Sequence, residues 1–231
     1  MKLAIMQPYF SPYIGYFQLI NSVDTFIIYD NIQYTKKGWI NRNRFLLDGK
    51  EALFSISLKK DSDYLDVRDR LISSEFNRKK LLNKIYMAYK KSCSFEDVFP
   101  LFEKIISNNE MNLFEYIYFS IIEICSYLNI ETKIVKSSDI DINHSLKSQD
   151  KVISLCRKME ATTYLNPIGG QSLYSKEYFK ECGISLNFIK SNPVIYKQFN
   201  DVFVPWLSIL DVMMFNERDA VREMINEYDL I

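Results

Sequence analysis

Within the nine residues of KKGWINRNR the sequence sets four positive charges, Lys36, Lys37, Arg42 and Arg44, and interleaves them with Trp39, Asn41 and Asn43. An arginine fork matches the oxygens of a phosphate or carboxylate. An asparagine both donates and accepts, and a tryptophan offers a flat face to a sugar or a base. The combination predicts a binding stretch for a phosphate or carboxylate, and with helix N-termini an electropositive floor for a diphosphate, with a solvated charged loop as the alternative. Just upstream, Asp30 closes the apolar run DTFIIY. A carboxylate there is placed to serve as general base or to fix sugar hydroxyls. His144 is the single histidine of the chain, in NHSLK, so any histidine-based proton transfer must use it. A lone loop histidine is also commonly incidental.

Three further clusters carry polar groups at expected element ends. Gln7, Tyr9 and Tyr16 lie in QPYFSPYIGY, and Gln33 follows Asp30. In NPIGGQSLY, Asn166 precedes the paired Gly169 and Gly170, whose backbone amides are able to approach an anion; a tight strand-to-helix turn explains them equally. Tyr196, Gln198, Ser208 and Asp211 form the last cluster, near Trp206. Ser208 and Asp211 fit an N-cap and its third helical residue, or Asp211 turns into the pocket. Cys93, Cys125, Cys156 and Cys182 are dispersed, with no C-x-x-C pair. No cluster has metal-ligand spacing, no Ser–His–Asp set can be asserted, and no cofactor is identified; no metal is expected.

These residues need elements to hold them. Residues 2–6 and 24–29 read as buried parallel strands, joined by a Pro- and aromatic-rich loop and a helix over 14–22. That is a βαβ unit, in which ligands bind at the carboxyl ends of the strands. Asp-Gly at Asp48-Gly49 between apolar runs predicts a β-hairpin. Helical spacing recurs over 77–91, 95–107 and 111–129, with Pro100 assigned to a first turn. Strands are expected at 131–136, 162–165 and 184–189. Helices are expected at 152–160, capped by Ser148 or Asp150, at 174–181, stopped by Gly183, and at 207–215 as the terminal helix. The fold class is therefore α/β: a mostly parallel, Rossmann-like sheet with a β-hairpin and a helical insertion at about 77–130, in one domain of 231 residues. One pocket should then join Gln7, Asp30, Gln33 and Arg42 to the 166–170 loop.

Composition narrows the function classes. Hydrophobic residues make up 48% and charged ones 25%, which is globular rather than disordered. Lys plus Arg equals Asp plus Glu at 29 each, so no basic field draws the chain to nucleic acid. The N-terminal apolar run is broken by Gln7 and Pro8, which predicts no leader peptide. The longest apolar stretch, 111–130, is interrupted by Glu115 and Glu123 and predicts no transmembrane segment. A cytoplasmic protein with reduced thiols is expected. Aromatics reach 15%, with 16 Tyr and 16 Phe. Codon bias explains that number, and so does an aromatic-lined sugar or nucleotide pocket.

The opening MQPYFSPYIGYFQLI, followed by DTFIIYDNIQY and KKGWINRNR, resembles the WbqC-like family. YLNPIGGQSLY, the Y-K-Q at Tyr196–Gln198 and SILDVMMFN extend the likeness over essentially the whole chain. The resemblance implies a transferase of bacterial surface-polysaccharide (O-antigen, lipopolysaccharide) synthesis. It would move an acyl or aminoacyl group, glycyl among them, to an amino sugar that is nucleotide-linked or lipid-linked. The acyl donor is left open, and nucleic acid enters only if a tRNA is that donor. In such chemistry Asp30 or His144 would take the amine proton while the 36–44 stretch held the diphosphate. Two alternatives stand beside it. QPYFSPYIGY occupies the place of the GxFxPxHxGH loop of a nucleotidyltransferase superfamily, with Tyr13 and Tyr16 where the histidines would be. The other is a non-catalytic sugar- or peptide-binding partner in a biosynthetic complex.

Overall fold

The computed structural model describes residues 1–200 and 202–231. The first crossover forms as its sequence dictates. β1 (Lys2–Met6) and β2 (Thr25–Ile28) pair in parallel, with Leu3 opposite Thr25 and Met6 opposite Ile28. α1 (Ile14–Asn21) connects them, and its first seven residues are all buried. A helix apolar all round needs cover on every side. Here the sheet lies on one side and α8 on another. Gln18, the polar residue within that buried run, donates through Nε2 to the carbonyls of Met224 and Glu227 at 2.9 and 3.1 Å.

β3 (Arg42–Leu47) and β4 (Lys50–Ser55) form the antiparallel hairpin around Asp48-Gly49. Both turn residues have positive φ, 51° and 74°, as a two-residue type I′ turn requires. α2 (Arg78–Tyr89), α3 (Phe95–Ser107) and α4 (Leu113–Tyr127) follow. Asn77 and Asn112 cap the first and third through their side chains. α3 starts at Phe95, so Pro100 is its sixth residue and lies beyond the first turn, contrary to expectation. Such a proline gives up one intrahelical hydrogen bond, and the buried face around Val98 and Phe102 holds the helix regardless.

β5 (Lys133–Lys136), α5 (Ser148–Lys158), β6 (Thr163–Pro167), α6 (Lys176–Glu181) and β7 (Ser185–Ser191) complete the alternating half. Gly183 at φ 77° ends α6. The chain does not end on α7 (Ile209–Phe215). It adds α8 (Arg218–Ile225) and a three-residue antiparallel strand β8 (Tyr228–Leu230), neither of them expected from the sequence.

The six-stranded sheet runs β5-β2-β1-β6-β7-β8. Alternation splits its side chains into two cores. Ala4, Phe26, Ile28 and Leu165 face α1 and the helical insertion, whereas Leu3, Ile5, Ile27 and Tyr164 face α5 and α6. From β1 the chain moves outward to β2 and β5, then returns past β1 to β6 and β7. The strand order therefore reverses between β1 and β6, and a crevice opens at their carboxyl ends. Among the described residues, no helix is long and apolar enough to cross a membrane.

Candidate functional site

A cleft of about 730 Å³ lies at this reversal point, within the usual range for ligand pockets. Its floor comes from strand ends: Gln7 after β1, Asn31 and Gln33 after β2, Asn166 at the end of β6. Tyr9, Tyr29 and Tyr174 add aromatic surface, and the first turn of α5 brings Ser148 and Lys151. Gly169 and Gly170 complete the rim. Space beyond Gly169 is open, whereas a Cβ on Gly170 would collide with the Asn166 amide. Glycine at 170 is thus needed to let Asn166 sit where it does, with Tyr164 Oη donating to its Oδ1 at 3.2 Å.

Electrostatics favour an anion on the α5 side. Lys147, the N-cap of α5, supplies no side-chain cap, and Ser148 enters the helix at φ 49°. An uncapped helix start carries unsatisfied N–H groups and the positive end of the dipole. Lys151, a residue only 8% exposed, brings its ammonium 5.0 Å above the Tyr29 ring and 3.4 Å from Asn31 Oδ1. Burial pulls its pKa below the ordinary lysine value, against the opposing pull of Asp66 and Asp30.

Asp30 and His144 stand behind this floor. Asp30 is 2% exposed, and its Oδ1 accepts from Ser137 Oγ at 2.6 Å and from the Ser138 N–H at 2.9 Å. Burial works to raise its pKa, but the Ser137 and Ser138 donors outweigh it and hold the carboxyl below the usual range. A carboxylate so stabilised is a poor proton acceptor at neutral pH. His144 Nδ1 meets Asn31 Nδ2 at 2.9 Å, and its Nε2 lies 3.0 Å from the Ile140 carbonyl. In the tautomer these partners demand, Nε2 carries the proton and Nδ1 accepts, which leaves no free lone pair. His144 therefore positions Asn31 directly. Asp30 reaches it through Ser137, whose single hydroxyl proton lies between Asp30 Oδ1 and Asn31 Oδ1, with Oγ 2.7 Å from the latter.

The remaining expected residues separate into two other places. Trp39, Asn43 and Arg44 line a smaller cavity of about 280 Å³ with Tyr13 and Trp206; Tyr9 belongs to both cavities. Arg42 joins neither. Its Nε donates to the Gly38 carbonyl at 2.9 Å and its Nη2 to that of Lys37, so it stitches its own loop. Asn41 links Tyr34 Oη and the Ile56 carbonyl, both at 2.8 Å, and Lys37 is exposed. The expected single pocket therefore unites Gln7 and Gln33 with the 166–170 loop, while Arg42 falls outside and Asp30 lies beneath. Tyr16 is 2% exposed and donates to the Gln7 carbonyl at 2.9 Å, so it supports Gln7 from within the core.

Tyr196, Gln198, Ser208 and Asp211 are structural in their contacts. Asp211, fully buried, accepts from Tyr89 Oη at 2.7 Å, Tyr196 Oη at 2.6 Å and Gln198 Nε2 at 2.8 Å. It does not reach back to the N-cap as a capping box would. Ser208 does cap α7, accepting from the Leu210 N–H at 3.2 Å, and it also packs Oγ to Oγ with Ser11 at 2.7 Å. Sequence reasoning missed Tyr29, Lys151 and Tyr174, and placed Asn31 at the strand end without giving it a role. Lys151 sits one residue after a proposed cap, Asp150, and that position alone pointed toward the strand ends. Among the described residues no group of three or more His, Cys, Asp or Glu could hold a metal ion.

A family model described as the WbqC-like protein family matches residues 7–223. A Mycobacterium tuberculosis protein described as uncharacterized protein Rv1507c is 29% identical over 218 residues, 93% of each chain. No solved structure matches.

Proposed function

We propose that this chain, which belongs to the WbqC-like protein family, is a transferase of bacterial surface-polysaccharide synthesis. It adds an acyl or aminoacyl group, glycyl among them, to the amine of a phosphate-linked amino sugar. The observation that carries this reading is Lys151 beside the uncapped start of α5, facing a floor of Gln7, Asn31 and Asn166. Phosphate suits the cation and the helix end. Sugar hydroxyls suit the Gln7 and Asn166 amides, which can donate and accept, and the second N–H of Asn31. Tyr9, Tyr29 and Tyr174 offer aromatic surface to the ring carbons. In the transfer the amine nitrogen bonds to the acyl carbon, the donor's leaving group departs with the bonding pair, and the amine proton goes to a base.

One observation favours the second reading, a non-catalytic binding partner: Asp30 and His144 are already occupied by neighbouring groups. Nucleotidyl transfer gains no comparable support, because Tyr16 is engaged inside the core. Calorimetry on the unmutated chain and Lys151→Ala, against nucleotide-linked and lipid-phosphate-linked amino sugars, tests the site. The loss should be about 1.5–3 kcal/mol, or roughly 10- to 150-fold in affinity. Equal binding by both proteins removes Lys151 from the site. Binding by the unmutated chain with no acylated sugar by mass spectrometry, across carrier-protein, tRNA and adenylate donors, would select the second reading.

A further inference from the structure

The chain has two tryptophans, and both line the smaller cavity. Trp39 is 40% exposed and Trp206 63%, although each carries more apolar surface than any other side chain. Trp206 also holds φ at 61°, a left-handed conformation that costs a side chain about 1–2 kcal/mol. Tyr13 meets it edge-on at 6.3 Å. That tyrosine ring lies where a Cβ on residue 15 would be, so Gly15 is what admits it. Arg44 lies 5.0 Å over the Trp39 ring, and its buried Nε has no hydrogen-bond partner among the described residues. Two exposed indoles, a strained backbone and an arginine stacked on one of the rings thus converge on one hollow. Tyr9 lines both that hollow and the cleft, so the two lie side by side.

We propose that this cavity is a second saccharide subsite, so that the acceptor is an oligosaccharide of at least two sugar rings rather than a nucleotide-linked monosaccharide. The inference rests on the cleft being a sugar-phosphate site. A pyranose lays its C–H face on an aromatic ring and turns hydroxyls to the side, where the lining offers the polar tips of Tyr13, Trp39 and Trp206. A nucleobase fits less well. Its edge needs matched donors and acceptors, yet the Asn43 amide is consumed by the Ser11 carbonyl at 2.8 Å and the Arg44 N–H at 2.9 Å. A diphosphate reaching this cavity from the cleft would also pass Tyr9, away from Lys151, toward an arginine already paired with Glu51 at 2.9 Å. At about 280 Å³ the hollow is at the small end for ligands, which suits one ring.

Both tryptophans border this cavity, so the intrinsic emission responds to a ligand in it. Trp206 also borders a hollow of about 250 Å³ beside Tyr196, and Trp39, which is not in that lining, tells the two apart. The test is an array of bacterial oligosaccharides, followed by emission titrations with the best binder, its terminal monosaccharide and uridine diphosphate. The oligosaccharide should shift emission and bind about tenfold tighter than the monosaccharide. Trp206→Ala should remove that advantage, and Arg44→Ala, which takes away the group stacked on Trp39, should weaken it, each leaving monosaccharide affinity unchanged. The proposal is overturned if no array member moves the emission, or if Trp206→Ala keeps the tenfold advantage. It is also overturned if uridine diphosphate alone produces a shift that Trp206→Ala abolishes. Should Lys151→Ala bind sugar phosphates normally while Trp206→Ala still loses the tenfold, the cleft reading fails and the subsite stands.

Discussion

The cleft at the strand ends and the polar cluster around Asp211 contain the same kinds of side chain in opposite states. Around Asp211 every group has a partner. Tyr89 Oη donates to the carboxylate and accepts from the Leu46 N–H at 2.9 Å, while Gln198 exchanges hydrogen bonds with both backbone groups of Val204. That closed network ties the hairpin, α2, the 196–204 loop and α7 together. In the cleft, by contrast, Gln7, Asn31 and Lys151 keep surface open toward a cavity, and the helix start beside them is uncapped. Tyr, Gln and Asp near a pocket are therefore no sign of binding in themselves. What separates the regions is unspent hydrogen-bonding capacity.

Removing the centre of the closed network should have the largest effect. Asp211→Ala strands two hydroxyls and an amide, each at about 1–3 kcal/mol, partly offset because a desolvated carboxylate also disappears. A net loss of about 3–4 kcal/mol is expected in urea unfolding, with sugar-phosphate affinity of the remaining folded protein unchanged. A loss below about 1 kcal/mol would mean that the network is not what joins these elements.

Acid titration sharpens the contrast, with a smaller effect. Burial raises the Asp211 pKa, and the hydroxyls of Tyr196 and Tyr89 and the Gln198 amide only partly offset it. For Asp30 the balance falls the other way. A raised folded pKa contributes stability that is full below the ordinary aspartate value of 3.8 and is lost as pH climbs through the folded value. A depressed one contributes stability that is present above 3.8 and is lost as pH falls through the folded value. Melting temperatures across the acid range should therefore show a shallower acid loss in Asp30→Asn than in the unmutated chain. Asp211→Asn should fall further behind the unmutated chain as pH drops toward 3.8 from above. Parallel curves for the two variants would erase the electrostatic distinction between the regions.

Much of the architecture was legible because it rests on local periodicity. The apolar runs of β1 and β2, the Asp-Gly turn and the three helices after residue 77 each announce themselves within about a dozen residues. The family was legible from the same opening motifs. The site was only half legible, since position at a strand end says where a side chain starts and nothing of what it meets. Gln7, Gln33 and Asn166 share a cleft because the β1–β6 reversal brings them together. Lys151 escaped notice because a lysine in a helix with alternating polar residues looks solvated. Its burial arises from Asn31 and Tyr29, more than a hundred residues away in sequence. Asp211 misled for the converse reason: helix-start spacing proposes a cap, and only packing reveals Tyr89 on another helix.

Arg42 offers the finest test, because it belongs by sequence to the cationic stretch and by contacts to the closed kind of region. Its guanidinium donates to the carbonyls of Gly38 and Lys37 and lies 5.7 Å from the Trp39 ring. Arg44, two residues on along the same strand, instead lines the tryptophan cavity with its guanidinium 5.0 Å over the Trp39 ring. Arg42→Ala should therefore lower stability by about 0.5–1.5 kcal/mol, the net scale of a hydrogen bond lost at a half-exposed site. Its effect on sugar-phosphate affinity should stay within about twofold, well under the 1.4 kcal/mol that a factor of ten requires. Differential scanning calorimetry gives the first quantity and titration calorimetry the second. A normal melting temperature combined with a tenfold loss of affinity would return Arg42 to the binding surface, and unspent hydrogen-bonding capacity would no longer distinguish site from scaffold.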